Sequence, residues 1–321
     1  MKPQIIASEC GAGLFAKNTL AGFRQCLELD VDGIELDVHL SQDNHVVVQH
    51  DYLLNKHITR DATGAWLSTP GPGLGELTLS QIKKYDVGRY APGARENQEY
   101  PYYTPIDGAQ IPTLSEFIET YETDEAKGGA NKSVRTEKPV LWVELKTDPF
   151  RRNQSADPEA LLDAVLQNLS DANLLGSAVL LAFEWDLLLR AQQICPGIET
   201  DFLTINKAYL THSYRGLDNV NPLALYGKSF TSYPDSSIPA CIHRVGGSWW
   251  GPLDSDVSES DVADAQSLGL KVNLWGVPST TKGMSAALAK KSDAITLSSP
   301  DKLMQLLKER GSDRSTNTQH N

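Results

Sequence analysis

With 321 residues, 40% of them hydrophobic and 22% charged, the chain can bury one large core and is too apolar to be disordered except at its ends. A net charge of −12 argues against a nucleic-acid partner, since phosphate backbones need a basic footprint, yet it permits a small anionic substrate beside a metal ion. No run approaches the ~18 apolar residues of a membrane span, and residues 1–20 lack a basic stretch followed by an unbroken apolar one. Cys10, Cys26, Cys195 and Cys241 have no C-x-x-C spacing. They read as free thiols of a reducing compartment, the cytoplasm, although a chain trimmed of a secretory signal reads the same. Nothing in the composition speaks to oligomeric state.

Taken in chain order, β-rich runs fall at Gln4–Ser8, Gly33–His39, Val140–Lys146, Ala178–Phe183, Thr200–Thr204, His243–Ser248, Lys271–Trp275 and Ala294–Leu297. Helical patterns lie between most of them: Thr19–Leu29, Ser115–Tyr121, Pro158–Ser170, Trp185–Ile194, Ser258–Leu268 and Gly283–Ala289. Capping residues open several, namely Asn18 or Thr19, Thr113 with Glu116, and Ser258 with Asp261. Strands alternating with helices predict parallel β/α units, and eight such units predict a (β/α)₈ barrel. One stretch breaks the rhythm. "DVHLSQDNHVVVQHD" alternates, turns at Gln42-Asp43-Asn44 and alternates again, which is the pattern of an antiparallel hairpin. The hairpin and the irregular residues after it form an expected insertion over 40–112, too long for an ordinary barrel loop. Residues 125–138 read as a mobile surface loop. A single domain is expected over 1–308, followed by a disordered tail at 309–321.

The chemistry concentrates in short motifs. In "GIELDV", Glu35 and Asp37 are two residues apart on a strand and so share a face, while Ile34, Leu36 and Val38 turn towards the helices. "LWVELK" repeats the device with Glu144 and Lys146, and Trp142 has the same parity. Acids facing a barrel interior repel one another unless a cation joins them. They therefore predict either a hard-cation site favouring Mg²⁺ or Ca²⁺, or internal salt bridges to Lys146 and arginines. His50, which closes "VVVQHD", returns to the level of Glu35 and Asp37 and can move a proton near neutral pH. His39, His45, His57, His212 and His320 read as solvent-exposed turn histidines. A competing reading takes Gly11, Gly13 and Ala16 as a G-x-G-x-x-A dinucleotide cradle. The hairpin, standing where that fold needs a crossover helix, disfavours it.

The order "GAGL…NTLAGF", "GIELDV…LSQD…VVVQHD", "LTLSQIKKYDVG", "IPTLSEF", "VELK" and "GLKVNLWGV" resembles the glycerophosphodiester phosphodiesterase family from residue 4 to about 305. The resemblance implies a barrel with a small insertion after its second strand. It also implies hydrolysis of a glycerophosphodiester to an alcohol and glycerol 3-phosphate, with a divalent cation, in phospholipid and glycerophosphodiester metabolism. It assigns Glu35, Asp37 and Glu144 as metal ligands and His50 as one of two acid/base histidines. It makes Lys146 a phosphate contact and places Phe183 and Trp275 where the family often has aromatics near the pocket, positions that ordinary barrel packing explains equally well.

The first loop departs from that pattern. The family's H-R-G becomes Ser8-Glu9-Cys10, and its P-E-N-T becomes Ala16-Lys17-Asn18-Thr19. By this alignment the second histidine is Ser8, the phosphate-binding arginine is Glu9 and the motif glutamate is Lys17. The late T-D-x-P-D is replaced by Leu297-Ser298-Ser299-Pro300-Asp301. Opposite charges have exchanged places, so Glu9 and Lys17 are expected to form an ion pair of reversed polarity. Glu9 is itself a candidate acid, base or metal ligand, since Ser8 cannot carry a proton at neutral pH without a base beside it. The sequence thus poses a metal-dependent hydrolase against a weakly active or inactive relative that binds a metal or phosphodiester without turnover.

Overall fold

A computed structural model describes residues 2–123, 138–152, 154–205, 225–227 and 237–317, with side chains as far as 310. Its strands are β1 (Gln4–Ala7), β2 (Gly33–Leu40), β3 (Val46–Val48), β4 (Val140–Leu145), β5 (Ala178–Ala182), β6 (Glu199–Thr204), β7 (Trp249–Pro252), β8 (Lys271–Leu274) and β9 (Ala294–Leu297). Eight pair in parallel in the order β1-β9-β8-β7-β6-β5-β4-β2, and β2 pairs back to β1 to close the ring. β3 lies antiparallel on β2, with Val38 opposite Val48 and Leu40 opposite Val46. This is a (β/α)₈ barrel carrying a hairpin after its second strand. An open dinucleotide-binding sheet is excluded.

Strand parity sorts the core into two compartments. Ile34, Leu36, Val38, Leu180 and Phe202 point outwards into the cluster shared with the helices. Ile6, Trp142, Val179, Leu181, Leu203, Trp249 and Ala294 fill the barrel. Each large apolar side chain buried in this way contributes about 1.5–3 kcal/mol. The helix Leu20–Leu27 buries Phe23 and Cys26, and Phe23 packs on Phe117 of the helix Leu114–Thr123 with centroids 4.6 Å apart. Thr19, rather than Asn18, caps the first of these helices, accepting from Gly22 N at 3.1 Å. The reciprocal boxes Thr113/Glu116 and Ser258/Asp261 form as expected.

Three expectations change. His243–Ser248 is not a strand: Ser237 caps a helix over Ile238–Arg244, and the strand begins at Trp249. Proline at the second helical position fits a first turn, which an alternation count does not see. The insertion is more ordered than its irregular sequence implies. It holds a helical turn at Leu79–Ile82 in an apolar cluster of its own with Val47, Leu54 and Ile111, and another at Glu96–Glu99 beside a second small cluster of Ile58, Tyr90 and Ala94. The final helix, Pro300–Asn317, continues into the stretch read as a tail. Residues 125–137 of the expected mobile loop lie outside the described residues, as do His212 and His320.

The insertion also braces the first loop. Tyr90 Oη donates to Ala12 O at 3.2 Å, and Thr104 N donates to Leu14 O at 2.8 Å. Gly11 takes a left-handed φ of 80°, and Gly13 lies against the end of β9, where its N–H donates to Ser298 O at 2.8 Å. A Cβ on Gly13 would stand 2.4 Å from Ser299 Oγ and 2.8 Å from Ser298 O. These glycines serve a tight turn and a close approach within the protein.

Candidate active site

Ser8, Glu9, Glu35, Asp37, His50, Glu144, Lys146, Phe183 and Trp275 all line one cavity of about 450 Å³. It opens at the ends of the parallel strands where the chain leaves the barrel, the end at which barrel enzymes do their chemistry. These nine candidate site residues therefore converge on one place. The register explains much of this. Asp37 lies directly beside Glu144 on neighbouring strands, and Glu35 sits one inward position below Asp37. Carboxylate oxygens of Glu35, Asp37 and Glu144 come within 4.8 Å of one another.

Salt bridges are present as well. Lys146 Nζ sits 2.9 Å from Glu144 Oε1 and 3.2 Å from Asp37 Oδ1. The salt-bridge reading is thus met by Lys146, and one lysine charge does not balance three carboxylates. Burial first, then Asp37 and Glu144, drives the Glu35 carboxyl well above its usual value. Burial likewise raises Glu144, with Lys146 opposing and Asp37 adding to the rise. Burial also works against the Asp37 charge, but Lys146, His50 and the Asn18 amide outweigh it and hold Asp37 down at about 2. Glu35 Oε1 is buried without a hydrogen-bond partner among the described residues. Three convergent carboxylates and one orphaned buried oxygen fit a hard divalent cation bound by oxygen.

His50 is placed by the hairpin. Gln49 N donates to Asp37 O at 3.0 Å, carrying the end of β3 back beside β2. His50 Nδ1 lies 3.1 Å from Asp51 Oδ1, and Asn55 Nδ2 holds the other Asp51 oxygen at 2.8 Å. Lys146 and burial oppose protonation of His50, but Asp37, Glu9 and the Asp51 bond prevail and lift it above the ordinary imidazole value. Its side chain is 45% exposed, open to a ligand. His39, expected in a solvent-exposed turn, is instead buried on β2, with Nε2 3.3 Å from His50 O. Its odd-numbered position puts it on the inward face with Glu35 and Asp37, and burial lowers it to about 4. His45 and His57 are exposed, as read.

The first loop folds around the charge exchange. Lys17 Nζ lies 2.7 Å from Glu9 Oε2, the reversed-polarity pair expected from the sequence, and both side chains are about 15% exposed (15% and 16%). Against burial, Glu9 and then Asp51 keep Lys17 charged. Glu9 and Cys10 hold left-handed φ values of 48° and 64°, a local strain of about 1–3 kcal/mol each. This turns the Glu9 N–H onto Glu35 Oε2 at 2.9 Å, which also accepts from Ser8 Oγ at 3.2 Å. Asn18, also left-handed at φ 50°, donates through Nδ2 to Asp37 Oδ2 at 2.9 Å and approaches Glu9 Oε2 at 3.5 Å.

Phe183 and Trp275 meet edge to face at 5.7 Å and 84° on the opposite wall. The sequence reading had not singled out Asn18 as a ligand-orienting group or Asp51 as the partner of His50, although both sit inside motifs it used. Nor had it found Arg151 in the loop after β4, or the buried chain Thr296 Oγ1 to Asn273 Oδ1 and Asn273 Nδ2 to Asp201 Oδ2, both links at 2.8 Å.

Fold and site together define a barrel hydrolase-like protein with a carboxylate–lysine cluster and a neighbouring histidine at its active end. The model of the glycerophosphoryl diester phosphodiesterase family matches residues 11–311. The chain belongs to that family. A glycerophosphodiester phosphodiesterase of Caldanaerobacter subterraneus is 34% identical over 120 residues, covering 37% of this chain and 40% of that one. One from Bacillus subtilis is 23% identical over 223 residues, covering 68% and 66%. The chain thus matches less than half of the first relative's length and about two thirds of the second's. Among solved structures, a Silicibacter pomeroyi protein assigned to the same family aligns over 96% of this chain and 94% of its own, with TM-score 0.80 at 24% identity. An Oleispira antarctica phosphodiesterase in complex with the product sn-glycerol-3-phosphate covers 95% and 97%, with TM-score 0.62 at 20% identity. At these identities the structures speak for the fold. No helix among the described residues is long and apolar enough to cross a membrane.

Proposed function

We propose that this protein is a metal-dependent phosphodiester hydrolase that cleaves a glycerophosphodiester to an alcohol and sn-glycerol 3-phosphate. The observation carrying this reading is the convergence of Glu35, Asp37 and Glu144 beside Lys146 and His50. Mg²⁺ or Ca²⁺ held by the three carboxylates would polarise a phosphoryl oxygen and neutralise charge developing there. The protein's own groups do the rest. Asn18 and Lys146 fix the two Asp37 oxygens in place. Asp51 on Nδ1 orients the His50 ring, so that Nε2 carries the proton to or from the reacting oxygen. Phe183 and Trp275 wall the organic part of the substrate. Ser8, at the position of the second histidine, donates to Glu35 and so braces a ligand. Glu9 remains the first loop's candidate acid or base, facing the cavity while sharing Oε2 with Lys17. The product named for the Oleispira relative supports the same chemistry here.

A second reading, a family member that binds without turnover, is favoured by one observation: the first loop presents a serine and a paired glutamate in place of two cationic groups. Incubation of the purified protein with glycerophosphocholine, glycerophosphoethanolamine and bis(p-nitrophenyl) phosphate, with Mg²⁺, Ca²⁺ or EDTA, separates the two. Release of sn-glycerol 3-phosphate from either glycerophosphodiester, stopped by EDTA, is the expected result. Divalent-cation binding with no cleavage of any diester selects the second reading.

A further inference from the structure

The hydrolase reading leaves the substrate phosphate without the first-loop cation that family resemblance leads one to expect. Glu9 stands there, and Lys17 neutralises it at 2.7 Å, so this loop gives the cavity no net positive charge. Lys146 is engaged by Glu144 and Asp37, at 2.9 and 3.2 Å. His50 shares its Nδ1 with Asp51. The cavity is also lined by Glu9, Glu35, Asp37, Glu144 and Asp148, so a phosphodiester entering it meets five carboxylates. Beyond Lys146 and His50, one further cationic side chain lines this cavity among the described residues, Arg151.

The loop after β4 is built to put that residue at the rim. The buried Asp148 carboxylate accepts the backbone N–H of Phe150 at 2.8 Å and of Arg151 at 3.1 Å, while Arg151 N also approaches Asp148 O at 3.2 Å. These bonds close a tight turn and spend the Asp148 charge on backbone donors. Glu184 then anchors the loop at both ends, accepting from Thr147 Oγ1 at 2.7 Å and pairing with Arg152. Arg152 thus pairs with Glu184, and Arg151 beside it lines the cavity. A guanidinium suits a phosphate better than an ammonium does, since its planar fork donates two parallel hydrogen bonds.

We infer that Arg151 is the substrate's phosphate anchor in this protein, the role having passed from the first loop to the loop after β4. This rests on the proposed hydrolase function for its substrate, but its test is an equilibrium one. The probe is sn-glycerol 3-phosphate, titrated calorimetrically into wild-type protein, Arg151→Met, Arg151→Lys and, as a surface control, Arg95→Met, each with EDTA and with Mg²⁺. Charge-assisted hydrogen bonds of this kind predict that Arg151→Met weakens binding by about 10- to 100-fold. Arg151→Lys should recover part of the loss, and Arg95→Met should bind as wild type. Near-ultraviolet circular dichroism confirms that each variant is folded. Unchanged affinity in folded Arg151→Met overturns the anchor, as does a wild-type protein that does not bind the probe. Binding that depends on Arg151 without turnover of any diester would defeat the hydrolase reading and leave the anchor standing.

Discussion

The two sides of the active cavity have met the problem of buried charge in different ways. On the β2–β4 side, Glu35, Asp37 and Glu144 face one another along adjacent strands, with Lys146 balancing only part of their charge. That side is left electrostatically incomplete, which suits it to a cation. On the first-loop side, Glu9 and Lys17 balance each other inside the protein, with Asn18 bridging towards Asp37. That pair is charge-balanced without a ligand. The contrast teaches that an exchange of charges can preserve a loop's shape while cancelling the net positive charge the loop would otherwise offer a ligand.

The sharpest way to break this comparison is to damage each side and read different quantities. His50→Ala should lower turnover by about 10²–10⁴-fold with little change in stability, measured by initial rates on a glycerophosphodiester and by chemical denaturation. On the first-loop side, Lys17→Met strands the Glu9 carboxylate in a largely buried place and should cost about 3 kcal/mol of stability. The double exchange Glu9→Lys with Lys17→Glu should return most of that loss. A double exchange as unstable as the single variant would show that the pair is not the loop's organising contact.

The strand-borne half of the site was legible because period-two geometry puts Glu35 with Asp37, and Glu144 with Lys146, on the inward face. The Glu9–Lys17 pair was legible because two opposite charges had changed places. His39 was misread because an isolated histidine was judged by its type, although its parity matched Glu35 and Asp37. Arg151 was not found because loop direction is set by Asp148 and Glu184, contacts that have no periodic signature in the chain. The shifted strand near Trp249 was missed because the proline-led first turn at Ile238–Arg244 shows only as capping chemistry.

Two smaller effects sharpen the contrast between the active end and its support. Asp201 is buried, and burial raises it to about 7, with Asn273 opposing and Glu144 adding to the rise. Because its folded value lies above its unfolded one, its stabilising contribution is full below about pH 4 and lost as pH rises through about 7. Asp201→Asn should flatten that slope and raise stability near pH 7 by about 2 kcal/mol, read from denaturation midpoints across pH. An unchanged slope would place the acid outside the linkage. Gly13→Ala should cost about 1 kcal/mol through its contact with the Ser298 carbonyl, measured by thermal unfolding. A neutral outcome would show that the first loop can withdraw from the end of β9.

The central claim is that the incomplete side of the cavity still performs metal-assisted hydrolysis although the first loop has given up its cationic groups. Release of sn-glycerol 3-phosphate from glycerophosphoethanolamine, followed as Mg²⁺ or Ca²⁺ is restored to EDTA-treated protein, tests this most directly when wild type and Glu35→Gln are run side by side. Turnover that rises with metal in wild type and is lost in folded Glu35→Gln is the predicted result. Metal binding by wild type with no release at any concentration would contradict it.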